Sequence, residues 1–264
     1  MKNRLSATEI ELLKKFATDR VIETEKIWQK VAPDIVELAE DHSITKFAKA
    51  MTQIPGYEEI EKDINVVDNF VVLMADMRNS TKHLTEACSG VYKEATGLKR
   101  LFIETSVLLP CMAKIISFGN GKTLEYLGDG ILAVYRVTPG SESGVIGDAQ
   151  RSAEKIVECV TQIISPILKK DYNLPPISVG VGIAKSQGIV RMVGIEGFLV
   201  PKVFGKSVFY ASKLCCGDNE IYLDSMARAM WPVAKHGETV YVDFKKVVTQ
   251  NGGKMYEGYQ VHYR

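Results

Sequence analysis

Asn69-Phe-Val-Val-Leu-Met-Ala-Asp76-Met-Arg-Asn-Ser-Thr81 is the stretch on which the reading of this chain turns. Its unbroken apolar run, Phe70 to Ala75, predicts a short strand buried on both faces. The run stops at a carboxylate, Asp76, and a polar loop, Arg78 to Thr81, follows. Ser80 and Thr81 are caps for a helix that begins there. Downstream, residues 98–118 carry a long apolar pattern at helical spacing, ended by the turn Gly119-Asn120-Gly121. Leu124-Glu-Tyr-Leu-Gly128-Asp129-Gly-Ile-Leu-Ala-Val-Tyr135 then sets two apolar segments around Gly-Asp-Gly, which predicts a β-hairpin. An amphipathic helix over 144–170 comes next. Strands are expected at Ile177–Ile183, Gly188–Val193, 220–223, 239–244 and 254–262, with a short helix near 205–215. From residue 70 the order is strand, helix, strand–turn–strand, helix, strand. That is the α+β, ferredoxin-like βαββαβ arrangement, here with extra C-terminal strands.

Residues 1–65 read as a helical N-terminal extension, and 66–264 as the domain that carries the chemistry. Ser6 to Val31 has apolar residues near helical spacing (Ile10, Leu13, Phe16, Ile22, Ile27), and Ser6 with Glu9 fits a capping box, with Thr8 a competing cap. Pro33 interrupts the pattern, Ile35–Met51 is amphipathic again, and Ile54-Pro55-Gly56 is a turn signal.

The chain has 264 residues, 33 basic against 32 acidic, and a hydrophobic fraction of 46%. That is the profile of a soluble globular protein with a sizeable core. A net charge of +1 argues against coating a nucleic acid or an anionic membrane, though not against one small anionic ligand. No run approaches the roughly 20 apolar residues of a membrane span, and the charged N-terminus lacks a signal-peptide core. A cytoplasmic protein is expected. Five cysteines, two of them adjacent, match no disulfide framework and no zinc spacing.

Asp76 and Asp129 are the candidate chemistry. In a βαββαβ sheet the first strand and the hairpin are neighbours, so carboxylates far apart in sequence face each other across a small gap. Such a pair suits hard divalent cations, which take oxygen ligands and leave sites for phosphates. Two cations about 4 Å apart can stabilise the attacking and leaving oxygens of phosphoryl or nucleotidyl transfer. The loop Met77, Arg78, Asn79, Ser80, Thr81 enters a helix, where backbone N–H groups can hold a triphosphate. Arg78 is either a further triphosphate ligand or a solvated loop residue. Separately, each Asp is also an ordinary cap or turn residue. Their joint order favours the metal reading. The four histidines show no ligand spacing, and Gly180 and Gly182 allow close backbone approach.

At these residues the chain resembles the class III nucleotidyl cyclases, the adenylyl and guanylyl cyclase family. Val72–Thr81 resembles that family's F-x-D-I-x-x-[FS]-T segment, with Met74 in place of Phe. Leu124–Tyr135 resembles its K-x-x-G-D hairpin, and Gly182-Ile183, Gly188–Val190 and Val193-Gly194 resemble its G-I-x-x-G-x-V…G region. Phe204–Leu214 resembles its W-G-x-x-V-N-x-A-S-R-M helix. The resemblance spans about residues 68–260. It implies cyclisation of a nucleoside triphosphate with loss of pyrophosphate, and two Mg²⁺ or Mn²⁺ ions per site on Asp76 and Asp129. It also implies a homodimer whose composite sites draw metal ligands from one chain and transition-state residues from the other.

The departures are as informative. The family's transition-state Asn falls on Phe209 and its Arg on Lys213, which keeps the charge but not the fork. The base-reading pair falls on Glu125 and Lys202, and Lys254 lies where the family often has a phosphate-binding Lys. Glu accepts from a base N–H and Lys donates to a carbonyl. Uracil offers both, and cytosine offers an amino group and a carbonyl. Phe209 and Tyr210 would fill space that a purine needs. With the helical extension, these departures resemble the bacterial pyrimidine cyclases of the Pycsar antiphage systems. That implies a UTP-preferring, CTP-accepting cyclase whose cUMP or cCMP is read by a separate effector protein. The alternatives are a purine cyclase and a catalytically silent nucleotide-binding regulator on the same fold.

Overall fold

The computed structural model describes residues 4–31, 53–58, 65–85, 97–195, 198–231, 242–251 and 254–263. The predicted helix at Ile35–Met51 and Cys88 lie outside them. The helices are α1 (Ala7–Val31), α2 (Ser80–Thr85), α3 (Gly97–Ile116), α4 (Glu142–Cys159), α5 (Ser165–Tyr172), α6 (Lys206–Leu214) and α7 (Ser225–Ala229). The strands are β1 (Val66–Met77), β2 (Lys122–Tyr126), β3 (Gly130–Val137), β4 (Val179–Ile195), β5 (Phe198–Gly205), β6 (Glu220–Leu223), β7 (Val242–Asn251) and β8 (Lys254–Tyr263). They form one sheet in the order β2-β3-β1-β4-β6-β8-β7, with β5 paired to β4. β1 lies antiparallel between β3 and β4, the ferredoxin-like order expected from the sequence.

Side-chain alternation along β1 divides the sheet into two faces. Val71, Leu73, Ala75 and Met77 join Ile131, Ala133, Tyr135, Val179, Val181 and Ile183 in the larger core, beneath α3, α4 and α5. The helix α1 is built into that core through Leu13, Ala17 and Val21. Its start is held by the Ser6–Glu9 capping box, in which Glu9 N–H donates to Ser6 Oγ (3.2 Å) and Ser6 N–H to Glu9 Oε2 (2.9 Å). Just ahead of the helix, Glu158 Oε2 on α4 accepts the N–H groups of Arg4 (2.9 Å) and Leu5 (2.7 Å).

The opposite face holds Phe70 and Val72 with Leu132, Val134 and Ala184, covered by α6, β5 and the segment around Ile54. On this face β4 presents Gly180, Gly182, Ala184, Ser186 and Gly188 to Asp76, Met74, Val72, Phe70 and Asp68. Small residues let α6 lie close: a Cβ on Gly182 would stand 2.1 Å from the Ala211 carbonyl oxygen. The structural role expected for Gly180 and Gly182 is what the packing requires. Ser186 Oγ also accepts the N–H of Ser207 (2.8 Å) at the start of α6.

Several elements differ from expectation, among them the short helix α7, where the sequence suggested none. The two strands expected at Ile177–Ile183 and Gly188–Val193 are one strand, β4, because polar Lys185–Gln187 pairs with Asn69–Val71 of β1. Cross-strand partners outweigh a polar interior. The helix expected over 144–170 runs from Glu142 to Tyr172 but contains a π-turn at Val160–Ile164. Ser165 N–H reaches back to Val160 O there, just before Pro166, which has no N–H to continue the regular ladder. β5 was not expected; it carries Pro201 opposite Met192. β7 runs on to Asn251, past the end at 244 that the sequence suggested. Among the described residues Cys111, Cys159, Cys215 and Cys216 form no disulfide. No helix among the described residues is long and apolar enough to cross a membrane.

Candidate active site

Asp76 sits one residue from the end of β1, with Gly130 of β3 as its partner on one side and Gly180 of β4 on the other. A Cβ on Gly130 would stand 2.6 Å from Asp76 Oδ1, so glycine is required there to admit the carboxylate. Gly128 turns the hairpin at φ +75°, a conformation that favours glycine. Leu127 N–H then donates to Gly130 O (2.8 Å), and Met77 N–H donates to Asp129 O (3.1 Å). These bonds hold Asp129 against the end of β1. Burial raises the Asp76 pKa, the Asp129 charge and a shared hydrogen bond raise it further, and Arg78 opposes both; the result is about 6.

Two carboxylates that repel each other at the mouth of a cleft form a donor set that fits hard divalent cations. Two carboxylates alone would leave coordination sites to water and phosphate oxygens, as a substrate-bound Mg²⁺ or Mn²⁺ requires.

The loop expected to hold phosphates does line an open cleft of about 550 Å³, formed by Asp76, Met77, Arg78, Asn79, Ser80, Thr81 and Lys82. Its donors are fewer than the sequence suggested. The Met77 side chain is buried in the core and its N–H is donated to Asp129 O, while Arg78 N–H is donated to Ser178 O (2.9 Å). The loop residues beyond these two that line the cleft are Asn79, Ser80, Thr81 and Lys82. Asn79 adopts φ +61°, and its carbonyl accepts His83 N–H (2.9 Å), starting α2. The Arg78 guanidinium turns back onto Asp76, Nη2 to Oδ2 at 2.6 Å.

A buried triad missed by the sequence reading anchors this loop from behind. Glu104, fully buried on α3, accepts from Arg100 Nε (2.9 Å) and pairs with His83 Nδ1 (2.8 Å) on α2. The Arg100–Glu104 i,i+4 spacing was the visible signal; the histidine's partner was not visible.

The other candidates form two groups outside this cleft. Glu125 on β2 and Lys202 on β5 meet, Nζ to Oε2 at 2.8 Å, although their strands are not hydrogen-bonded to each other. Phe209, 50% exposed on α6, packs edge-on with Tyr210 and Tyr256, and Lys213 Nζ lies 5.5 Å from its ring centroid. Lys254 is exposed at the first position of β8, opposite Asn251. Within one chain, then, Asp76 lines the cleft with the loop and Asp129 stands beside Asp76 in the hairpin turn, whereas Lys213, Phe209, Lys254 and the Glu125–Lys202 pair do not line the cleft.

No protein-family model matches the chain, and no curated protein matches its sequence. Solved structures do match. The guanylyl cyclase Cya2 superposes with a TM-score of 0.59 at 18% identity, over 75% of this chain and 93% of that one. The adenylyl cyclase CyaB from P. aeruginosa gives 0.54 at 16% identity, over 76% of this chain and 97% of that one. A class III adenylyl cyclase-like ATP-binding protein from Pseudomonas aeruginosa gives 0.57 at 16% identity, over 86% of this chain but 48% of that one. The fold is that of the class III cyclase catalytic domain.

Proposed function

We propose that this chain is a nucleotidyl cyclase that works as a homodimer, converting UTP in preference to CTP into the 3′,5′-cyclic monophosphate and pyrophosphate. The observation that carries the reading is the Asp76–Asp129 pair, brought together at the end of β1 beside the cleft that Asp76 lines, on a class III cyclase fold. Asp76 and Asp129 would hold the two divalent cations, Mg²⁺ or Mn²⁺. When bound, the ions supply Lewis acidity to the 3′-hydroxyl and neutralise the triphosphate. Asn79, Ser80 and Thr81 bind phosphate oxygens through loop donors. Glu125 and Lys202 read the base, one accepting from N3–H and the other donating to O4 of uracil. The 2.8 Å contact between them supports a matched pair, since each charge is the other's partner until a base intervenes. Phe209 and Tyr210 crowd the space a purine would use. The separation of Lys213 and Phe209 from the cleft supports a composite site, in which the second chain brings Lys213 to the reacting phosphate. In this reading the product is an antiphage signal for a separate effector protein, made by the domain at 66–264.

A second reading rests on Phe209, which offers no hydrogen bond where a cyclase needs one, and on the cyclase-like ATP-binding neighbour. There the chain binds a nucleotide and leaves it unchanged. Incubation of the pure protein with each of the four nucleoside triphosphates and Mg²⁺ or Mn²⁺, with products resolved by mass, separates the readings. Cyclic UMP exceeding cyclic CMP is expected. A cyclic purine product in excess would overturn the base preference, and bound but intact nucleotide would leave only the second reading.

A further inference from the structure

The Arg78–Asp76 contact is local in sequence but unusual in placement. Arg78 lines the cleft, yet its Nη2 is spent on Oδ2 of the very carboxylate assigned to a divalent cation. Its backbone is pinned by the bond from its N–H to Ser178 O, so only the side chain is free to turn. Its Nε is buried without a hydrogen-bond partner, so the guanidinium fork is incompletely used in this pose. Guanidinium forks match phosphate as well as carboxylate, and they do so with two parallel bonds. A dication on Asp76 Oδ2 would weaken the Arg78 contact, because the two positive charges would repel at that distance.

We propose that Arg78 serves two anions in turn: it is the counter-cation of Asp76 while the carboxylate pair is bare, and it turns to the nucleotide's phosphates when a divalent cation takes its place. Arg78 then couples the two ligands. The cation displaces Arg78 toward the cleft, where it adds a phosphate ligand; the triphosphate draws Arg78 away, which vacates Oδ2. By linkage, each ligand raises the other's affinity by one and the same factor. The inference rests on reading Asp76 and Asp129 as metal ligands, and it adds the residue that makes metal and nucleotide arrive together.

The test needs binding rather than turnover. Mn²⁺ affinity is measured by electron paramagnetic resonance of the free ion, with and without 3′-deoxyuridine triphosphate, which lacks the attacking hydroxyl. In the wild type, the nucleotide should tighten Mn²⁺ binding by about tenfold, a typical coupling between sites. In Arg78→Gln, Mn²⁺ alone should bind several-fold tighter than to the wild type, and the nucleotide-dependent gain, corrected for Mn²⁺ held by free nucleotide, should be several-fold smaller than in the wild type, the remainder being direct coordination of the ion by phosphate. Arg78→Ala, checked for a cooperative melt, guards against an effect peculiar to glutamine. An Mn²⁺ affinity lost in Asp76→Ala but unmoved by either Arg78 variant overturns this proposal and spares the metal reading. A wild type that binds no Mn²⁺ overturns both.

Discussion

The strand β1 carries two aspartates on the same face, one near each end, and their environments have opposite signs. Asp68 accepts from Tyr57 OH (2.6 Å), Arg136 Nε (2.7 Å) and Asn69 N–H (2.7 Å). Burial pushes its carboxyl up, but these three donors outweigh burial and hold the pKa below the usual range. At the other end burial and the facing Asp129 carboxylate together outweigh the one cation beside Asp76, Arg78, and its pKa rises to about 6. Arg136 also stacks over Tyr57 at 5.0 Å, closing the Asp68 end behind an aromatic ring. The Asp76 end opens onto a cleft. One strand thus holds a finished ion pair and an unfinished one. Satisfied charge stabilises a fold, and repelling charge left at a cleft binds a ligand that the fold lacks.

The sharpest way to break this comparison is activity. Asp76→Ala and Asp129→Ala should each lower turnover by about a thousandfold or more, because both carboxylates would hold ions that act in the transition state. Asp68→Ala, assayed beside them in the cyclase reaction, should retain most of the wild-type kcat. Full turnover in Asp76→Ala would dissolve the distinction. Next in size is complementation. An equimolar mixture of Asp76→Ala and Lys213→Ala chains should regain part of the lost activity, since a composite site pairs an intact metal side with an intact α6. No regain, with mixed dimers shown to form by native mass spectrometry, would count against sharing.

Stability should move the other way. Asp68→Asn removes a partner from Arg136 and Tyr57 and should cost about 1 kcal/mol in urea denaturation, modest because Arg136 is partly exposed. Asp76→Asn should stabilise the metal-free protein at neutral pH. Its carboxyl is raised from 3.8 to about 6, so its contribution is fully present below 3.8 and lost as pH rises through 6. Wild type and Asp76→Asn should therefore melt alike near pH 4 and separate above pH 6, by about 1 kcal/mol once solvent screening of a one-third exposed carboxylate is counted. For Asp68, with a lowered pKa, the contribution is present above the usual carboxylate range and lost only as the pH falls through its folded value. Melting curves across pH that show the same slope for both variants would contradict the opposite environments.

Much of the site was legible because its signals are local. An apolar run ending in Asp76, and Gly-Asp-Gly between two apolar segments, are read from neighbours in the chain. The capping box of Ser6 and Glu9 is local in the same way, and it formed as written. What escaped depended on partners far off. Lys185–Gln187 reads as a loop until β1 pairs with it. Glu104 drew no reading from the sequence, yet it is fully buried, with His83 and Arg100 satisfying it. The guanidinium of Arg78 reads as a cleft donor, but it rests on Asp76.

The amino-acid sequence by itself determined the order of the core elements from β1 to β4, the two carboxylates and the glycine turn that presents one of them. Those follow from side-chain period and from φ freedom, which need only a few adjacent residues. Only the tertiary structure decided that Asp68 and Asp76, the same residue type on one strand and one face, differ in proton affinity. It also decided that Glu125 meets Lys202 and that Met77 belongs to the core. The physical reason is that a carboxylate's proton affinity is set by burial and by charges within a few ångströms, and folding draws those neighbours from every part of the chain.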